Sequence, residues 1–238
     1  MVRVMWDNHH LLRSIANLLF GVGVVLVLVG AVRYVLRMPD FPLNTVELVA
    51  APQRVSEEEL QKVVREQVRG NFFTVDLERA RKGFETLPWV RKVSVRRKFP
   101  WGLQVDVEEH VALARWNKTA LVNTYGEVFA APTIEVLPDF IGQPESSMQV
   151  TKLFGELSET VSPMRQKISQ ISLSPRFAWQ IKLDGGMVLE LGREEMQARL
   201  ARFVKVYPYS LAVSAQTVRR VDLRYRNGFS AYMPGSEV

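Results

Sequence analysis

Three acidic side chains, Asp106, Glu108 and Glu109, fall within four positions of the segment LQVDVEE, and a pair of carboxylates is what acid-base hydrolysis requires. In an extended strand Asp106 and Glu108 share a face. Five basic residues, Arg91, Lys92, Arg96, Arg97 and Lys98, occupy the eight positions from 91 to 98 just upstream, so the acids read as neutralised surface charge. No GxxxxGK[ST], GxSxG, GxGxxG or HExxH pattern adds a second signal for chemistry. No catalytic residue is assigned, and the chain reads as a non-enzyme.

Metal and covalent chemistry are constrained as tightly. The 238 residues contain no cysteine and three histidines, His9, His10 and His110, so a thiolate site or a multi-histidine centre in the main body is excluded. A Ser-His-Asp triad would have to use His110, which ends an alternating strand pattern and reads as structural. Neither a cofactor, a metal nor a small-molecule substrate is expected. The formal net charge of +6 admits nucleic acid, anionic lipid or an acidic protein as partner without selecting one. The run Arg91 to Lys98 is the candidate phosphate-contacting patch.

The elements that must carry these residues begin with a membrane segment. Ser14 to Val32 is a run of 19 uncharged residues between Arg13 and Arg33. As a helix it reaches roughly 28 Å, close to the ~30 Å hydrocarbon core. A cleaved signal peptide would have a shorter apolar region and a small-x-small site, so an uncleaved single-pass anchor over residues 14–36 is expected. Arg3 and Arg13 balance Arg33 and Arg37, so charge leaves the orientation undecided. A tail of about a dozen residues (1–13) before a long folded part resembles a signal anchor, with its N-terminus cytoplasmic.

After a Pro-containing linker (37–45), residues 46–111 read as strand, helix, helix, strand, strand. Ser56 with Glu59 has capping-box spacing ahead of the stripe Leu60, Val63, Val64 and Val68, and Asp76 caps a second helix carrying Leu77, Ala80, Phe84 and Leu87. Val93 and Val95, then Leu103, Val105 and Val107, alternate with polar residues as a two-stranded hairpin. With Pro100-Trp101-Gly102 as the connection, Phe99 is expected to face Leu103, Val95 to face Val107 and Arg96 to face Asp106.

Residues 112–233 give strand signals at ALARW, TALVNTYGEVFA, ISQISL, WQIKL and MVLEL. Gly126 and Asp184-Gly185-Gly186 mark turns. Two helices are expected, one over about Gln149 to Val161 and one carrying Met196, Leu200, Phe203 and Val204 that ends before Pro208. Asn227-Gly228 turns the chain into a last short strand before a tail (234–238). The fold class is α+β: a single N-terminal transmembrane helix, a small β-α-α-β-β domain, then a mixed α/β domain on a mainly antiparallel sheet. The last strand is expected at a sheet edge, able to accept a partner's extended segment, with Arg176, Arg224, Tyr225 and Phe229 as interface anchors beside it.

GNFFTVD, LPWVRKVSVRRKFP, LQVDVEE, ALARW, LVNTYGEVFAA, LGREEMQARLARFVKVYP and VDLRY resemble the bacterial cell-division family FtsQ/DivIB, over nearly the whole chain. The resemblance implies that 46–111 is a POTRA domain and that the C-terminal edge docks FtsB of an FtsB-FtsL pair, with Arg176, Arg224, Tyr225, Asn227, Gly228 and Phe229 as the contact set. It implies recruitment through the DNA translocase FtsK at Lys92, Val95 and Arg97. It places the folded part in the periplasm as a type II inner-membrane scaffold at the division septum, where no regular DNA partner exists, so nucleic acid is not expected. The alternative is an envelope assembly factor whose POTRA domain handles unfolded outer-membrane clients. Two departures from the family pattern stand out: Gln143 intervenes between Gly142 and Pro144, and Phe229 replaces a smaller residue.

Overall fold

The computed structural model describes residues 9–38, 41–43, 45–211 and 218–233. The chain separates into two compact units, Met1–Glu109 and His110–Val238. The first begins with α1 (His9–Leu36), the one helix among the described residues that is long and apolar enough to cross a membrane.

The folded part of this unit runs β1 (Thr45–Leu48), α2 (Glu57–Gln67), α3 (Leu77–Glu85), β2 (Val90–Lys98) and β3 (Gly102–Glu109). Both predicted helix starts are present. The Ser56 hydroxyl accepts from Glu59 N–H while the Glu59 carboxylate accepts from Ser56 N–H, and the Asp76 carboxylate accepts from Arg79 N–H. Each satisfies a backbone donor that the first helical turn leaves open. The helices lay Leu60, Val63, Ala80 and Phe84 against Val93, Leu103 and Val105 of a sheet ordered β1-β3-β2.

The hairpin register differs from expectation. Val95 faces Val105, Val93 faces Val107, Arg96 faces Gln104 and Lys98 faces Gly102, so Asp106 lies opposite Ser94. Gly102 already belongs to β3, and Trp101 takes the turn's left-handed conformation at φ 60°. The turn is therefore centred on Pro100. A Cβ at position 102 would lie 2.8 Å from Thr45 Oγ1, so a glycine there lets β1 close alongside. The shift is two residues, one pleat period, and the valines keep the inward face.

The second unit is built on a nine-stranded sheet. Its strands are β4 (Ala112–Trp116), β5 (Ala120–Asn123), β6 (Val128–Phe129), β7 (Asp139–Ile141), β8 (Ile168–Leu173), β9 (Trp179–Leu183), β10 (Val188–Gly192), β11 (Arg220–Asp222) and β12 (Ser230–Tyr232), in the order β12-β11-β10-β9-β8-β7-β4-β5-β6. Five of the eight pairings are antiparallel. The short β7 was not anticipated: three residues between Pro138 and Gly142 show no alternation, yet β7 pairs parallel to both β4 and β8 and buries Phe140.

The helix α4 (Ser147–Val161) crosses from β7 to β8 and α5 (Met196–Ser210) from β10 to β11. Both crossovers join parallel strands and step the same way along the sheet, so the right-handed rule puts both helices on one face. Val150, Leu153 and Leu157 of α4 and Leu200, Phe203 and Tyr207 of α5 join Ile171, Ile181, Leu189 and Val221 in one core. The opposite face carries Gln170, Gln180, Glu190 and Arg220.

α5 continues through Pro208 to Ser210, where a stop before the proline was expected. Proline removes one donor in the last turns, but Leu211 N–H still bonds Tyr207 C=O, and Tyr207 and Leu211 are both buried. Packing on either side of the proline outweighs that single lost bond.

Candidate functional site

β12 ends the nine-stranded sheet and pairs only with β11 among the described residues. Tyr232 C=O accepts from Arg219 N–H, so the backbone groups of Ala231, one residue away, point to the open edge. Ala231 packs its methyl on the core while Tyr232 is exposed. Such an edge pairs a partner strand through main-chain bonds and selects it through the flanking side chains.

The flanking side chains come from the loop 223–229. Asp222 holds this loop: its carboxylate accepts from Arg224 N–H at 3.0 Å and from the guanidinium at 2.9 and 2.6 Å. These bonds keep the Asp222 carboxyl below the usual carboxylate range. The stem of Arg224 crosses Gly192, where a Cβ would meet its Cγ at 3.1 Å. Because the folded pKa is depressed, this contribution to loop order is present above the unfolded carboxylate pKa of about 3.9 and disappears as pH falls through the lower folded value. The expected titration therefore shows Asp222 ionised across the neutral range and the loop releasing only in strong acid, measured by side-chain carboxyl chemical shifts.

Leu223 is buried, but Tyr225, two residues on, is 58% exposed. Phe229 turns back and meets Phe203 edge-on at 5.3 Å. Between this loop and α5 lies a cleft of about 310 Å³ whose floor includes Phe203, Leu223 and Phe229 and whose wall carries Arg199, Arg202 and Lys205. Arg202 donates to Arg226 C=O, closing one end. Arg199 has a largely buried guanidinium whose Nε has no acceptor, and its nearest carboxylate, on Glu195, is 4.0 Å away. Arg176 sits in the β8–β9 turn at the same end of the sheet, two to three strand spacings or about 10–14 Å across from β11.

The arrangement brings Arg224, Tyr225, Asn227, Gly228 and Phe229 together at the sheet edge and sets Arg176 further along the same rim. Arg199, Arg202 and Lys205 complete the site, although they form no recognisable motif in the sequence. Their spacing is the one local signal: 199, 202 and 205 recur every three residues beside the apolar stripe 196, 200, 203, 204, so α5 carries a basic edge along its buried face.

In the first unit Lys92, Val95 and Arg97 all lie on β2, an edge strand, but they do not share a face. Lys92 is exposed on the polar side and Val95 is half-buried toward the helices. Arg97 is on the valine side, apart from the exposed charges of the run; its guanidinium donates to the carbonyls of Phe72 at 2.8 Å, Phe73 at 3.3 Å and Val75 at 3.2 Å. Two basic residues of the run pair with acids: Arg91 with Glu108 at 2.6 Å and Lys98 with Glu47 of β1.

Glu109, the third of the candidate acids, is tied into the fold. The Glu109 carboxylate accepts from three successive N–H groups, Gln53, Arg54 and Val55, at 2.8 to 3.0 Å, which anchors the approach to α2. Glu109→Gln replaces an acceptor oxygen by a donor amide and removes the charge, and is expected to destabilise this unit by about 1–3 kcal/mol. Faster hydrogen exchange at residues 53–55 reads that loss. His110 stacks on Phe129 with ring centres 4.0 Å apart, and its Nδ1 lies 3.0 Å from the Asn123 side-chain amide, a structural role.

Residues 41–110 match the family model described as POTRA domain, FtsQ-type, and residues 114–224 the model for cell division protein FtsQ/DivIB, C-terminal. A cell division protein FtsQ of Nitrosospira multiformis is 41% identical over 232 residues, covering 95% of this chain and 98% of that one. The chain belongs to the FtsQ family. FtsQ proteins of Bordetella pertussis (36% identical; 95% of this chain, 92% of that one) and Burkholderia pseudomallei (33%; 97% and 95%) extend the same match.

Membership assigns a role in cell division, and the five elements from β1 to β3 are an FtsQ-type POTRA domain. The N-terminal apolar helix fits a single-pass inner-membrane FtsQ. The C-terminal family model stops at Arg224, so Tyr225, Asn227, Gly228, Phe229 and β12 lie beyond it, although the relatives match through most of the chain.

Proposed function

We propose that this FtsQ acts as a non-enzymatic scaffold, with its N-terminus cytoplasmic and both folded units in the periplasm at the division septum. It holds an FtsB-FtsL-like pair by pairing a strand of the FtsB-like partner with β12. The observation that carries the reading is the combination of an open edge at β12 with the adjoining apolar cleft walled by Arg199, Arg202 and Lys205. A matching partner presents an extended segment, an apolar side chain for the cleft and carboxylates for the arginines. Arg176 and Arg224 extend the basic rim toward such acids.

The POTRA domain contributes a second contact through β2, where Lys92 and the strand edge are available to a recruiting partner such as FtsK. Arg97 acts there indirectly, by fixing the loop 72–75. The competing reading, an assembly factor for outer-membrane proteins, is separated by co-purification: the full chain in mild detergent is expected to retain an FtsB-FtsL-like coiled coil stoichiometrically and to ignore unfolded barrel precursors. Retention of the precursors instead would reverse the assignment.

A further inference from the structure

The membrane-proximal end of the first unit collects an unusual share of its aromatic rings. The tip of the β2–β3 hairpin, the loop 70–75 and the residues following α1 converge there, because β1 starts opposite Gly102 at that tip. Phe41, Phe72, Phe73 and Trp101 contact one another with ring centres 5.1 to 6.2 Å apart, and Phe99 adds a ring 6.2 Å from Trp101. Only part of the cluster is covered: Phe73 is 41% and Phe99 80% exposed.

This cluster is fastened to the end of α1. The side chain of Asn71, 9% exposed, donates to Leu36 C=O at 2.7 Å and Met38 C=O at 3.0 Å, carbonyls at the helix C-terminus that have no intrahelical partner. Its oxygen accepts from the N–H groups of Phe73 and Thr74 and from the Thr74 hydroxyl. Phe72 N–H donates to Phe41 C=O, and Arg97 braces the same loop from the other side. The exposed rings are thus held within one loop's reach of the point where α1 ends.

We propose that Phe73, Phe99 and Trp101 seat in the headgroup layer of the bilayer that α1 crosses, giving the POTRA domain a second membrane contact. The proposal rests on α1 spanning the membrane and is independent of which partner β12 binds. Aromatic side chains favour the membrane interface, where an apolar ring meets partial hydration. Basic groups stand on both sides of the cluster: Arg33 and Arg37 on the helix side and Arg96 on the hairpin, while Lys98 pairs with Glu47. That charge suits an anionic leaflet. Two anchors, the helix and the aromatic end, would fix the tilt of the sheet relative to the membrane, where the helix alone would not.

The absence of cysteine permits a direct test. Single cysteines placed at Phe99, Arg96 and Glu58 of the full chain, the last at the opposite end of the sheet about 27 Å away, carry a nitroxide in nanodiscs of phosphatidylethanolamine and phosphatidylglycerol. Power-saturation spectra are expected to show the label at 99 losing access to an aqueous nickel chelate and gaining access to oxygen, with 58 fully open and 96 between. Adding Phe73→Ser is expected to raise nickel access at 96. Equal nickel access at 99 and 58 overturns the proposal. So does a shielded label at 99 with no response at 96 to Phe73→Ser, since the label alone would then be inserting.

Discussion

Tyr225→Glu is expected to weaken binding of an FtsB-FtsL-like pair about 30-fold or more while leaving the melting transition of the protein in place. Tyr225 is 58% exposed beside the open edge of β12, so its removal exposes no cavity, and the new carboxylate enters a rim lined by arginines that would otherwise meet the partner's acids. A tyrosine anchor at the centre of an interface commonly carries 2 kcal/mol or more, which corresponds to that factor. Combining it with Phe229→Glu should abolish binding altogether. Phe229 also packs edge-on against Phe203, so the double variant mixes lost binding with a loosened core, and the single variant gives the cleaner measurement. Titration calorimetry of the purified pair against both variants distinguishes them. Unchanged affinity of Tyr225→Glu would remove the β12 edge from consideration.

Asn123→Ala is expected to produce the largest loss of stability, about 3 kcal/mol, a fall of roughly 10 °C in the transition of the second unit. Asn123 is completely buried, and its side chain completes four bonds. The oxygen accepts from Tyr125 N–H and Glu127 N–H at 2.9 Å, and the amide reaches Glu127 Oε2 at 2.6 Å and His110 Nδ1 at 3.0 Å. Truncation strands two backbone donors in the turn that carries Gly126 at φ 84° and removes the amide that meets the stacked imidazole. Asn123→Asp keeps the acceptor for the two N–H groups but sets a carboxylate against Glu127, so it should also destabilise, and recover as acid neutralises the pair. Thermal melts at two pH values separate the two substitutions.

Much of this architecture was written in local pattern. Ser56 with Glu59 and Asp76 with the residues after it fix two helix starts through side-chain bonds to neighbouring amides, and such bonds depend on three residues of spacing and little else. The alternating valines of β2 and β3 identify the buried face for the same reason. The paired glycines after Asp184 and the Asn227-Gly228 turn mark chain reversals that few other residues allow. Even the family was legible in LPWVRKVSVRRKFP and VDLRY.

What local pattern could not decide were quantities set by distant strands. The hairpin register moved by two residues because Gly102 must admit β1, which comes from more than fifty residues earlier. β7 exists because β4 and β8 supply partners on both sides, and three residues contain no periodicity of their own to announce it. Arg97 reads as one more charge on a wet face until the loop 72–75 folds over its strand and offers three carbonyls. The same holds for the cleft: its basic wall belongs to α5 and its floor to the loop after β11, and only the right-handed crossover that lays α5 on the inner face brings them together. The long apolar N-terminal helix, the order of the longer elements and the buried faces could be read from residue pattern, because these follow from hydrophobic period and short-range hydrogen bonds. Register, the surroundings of each charge and the shape of the open sheet edge emerge only in the folded chain, because each depends on which remote backbone arrives alongside.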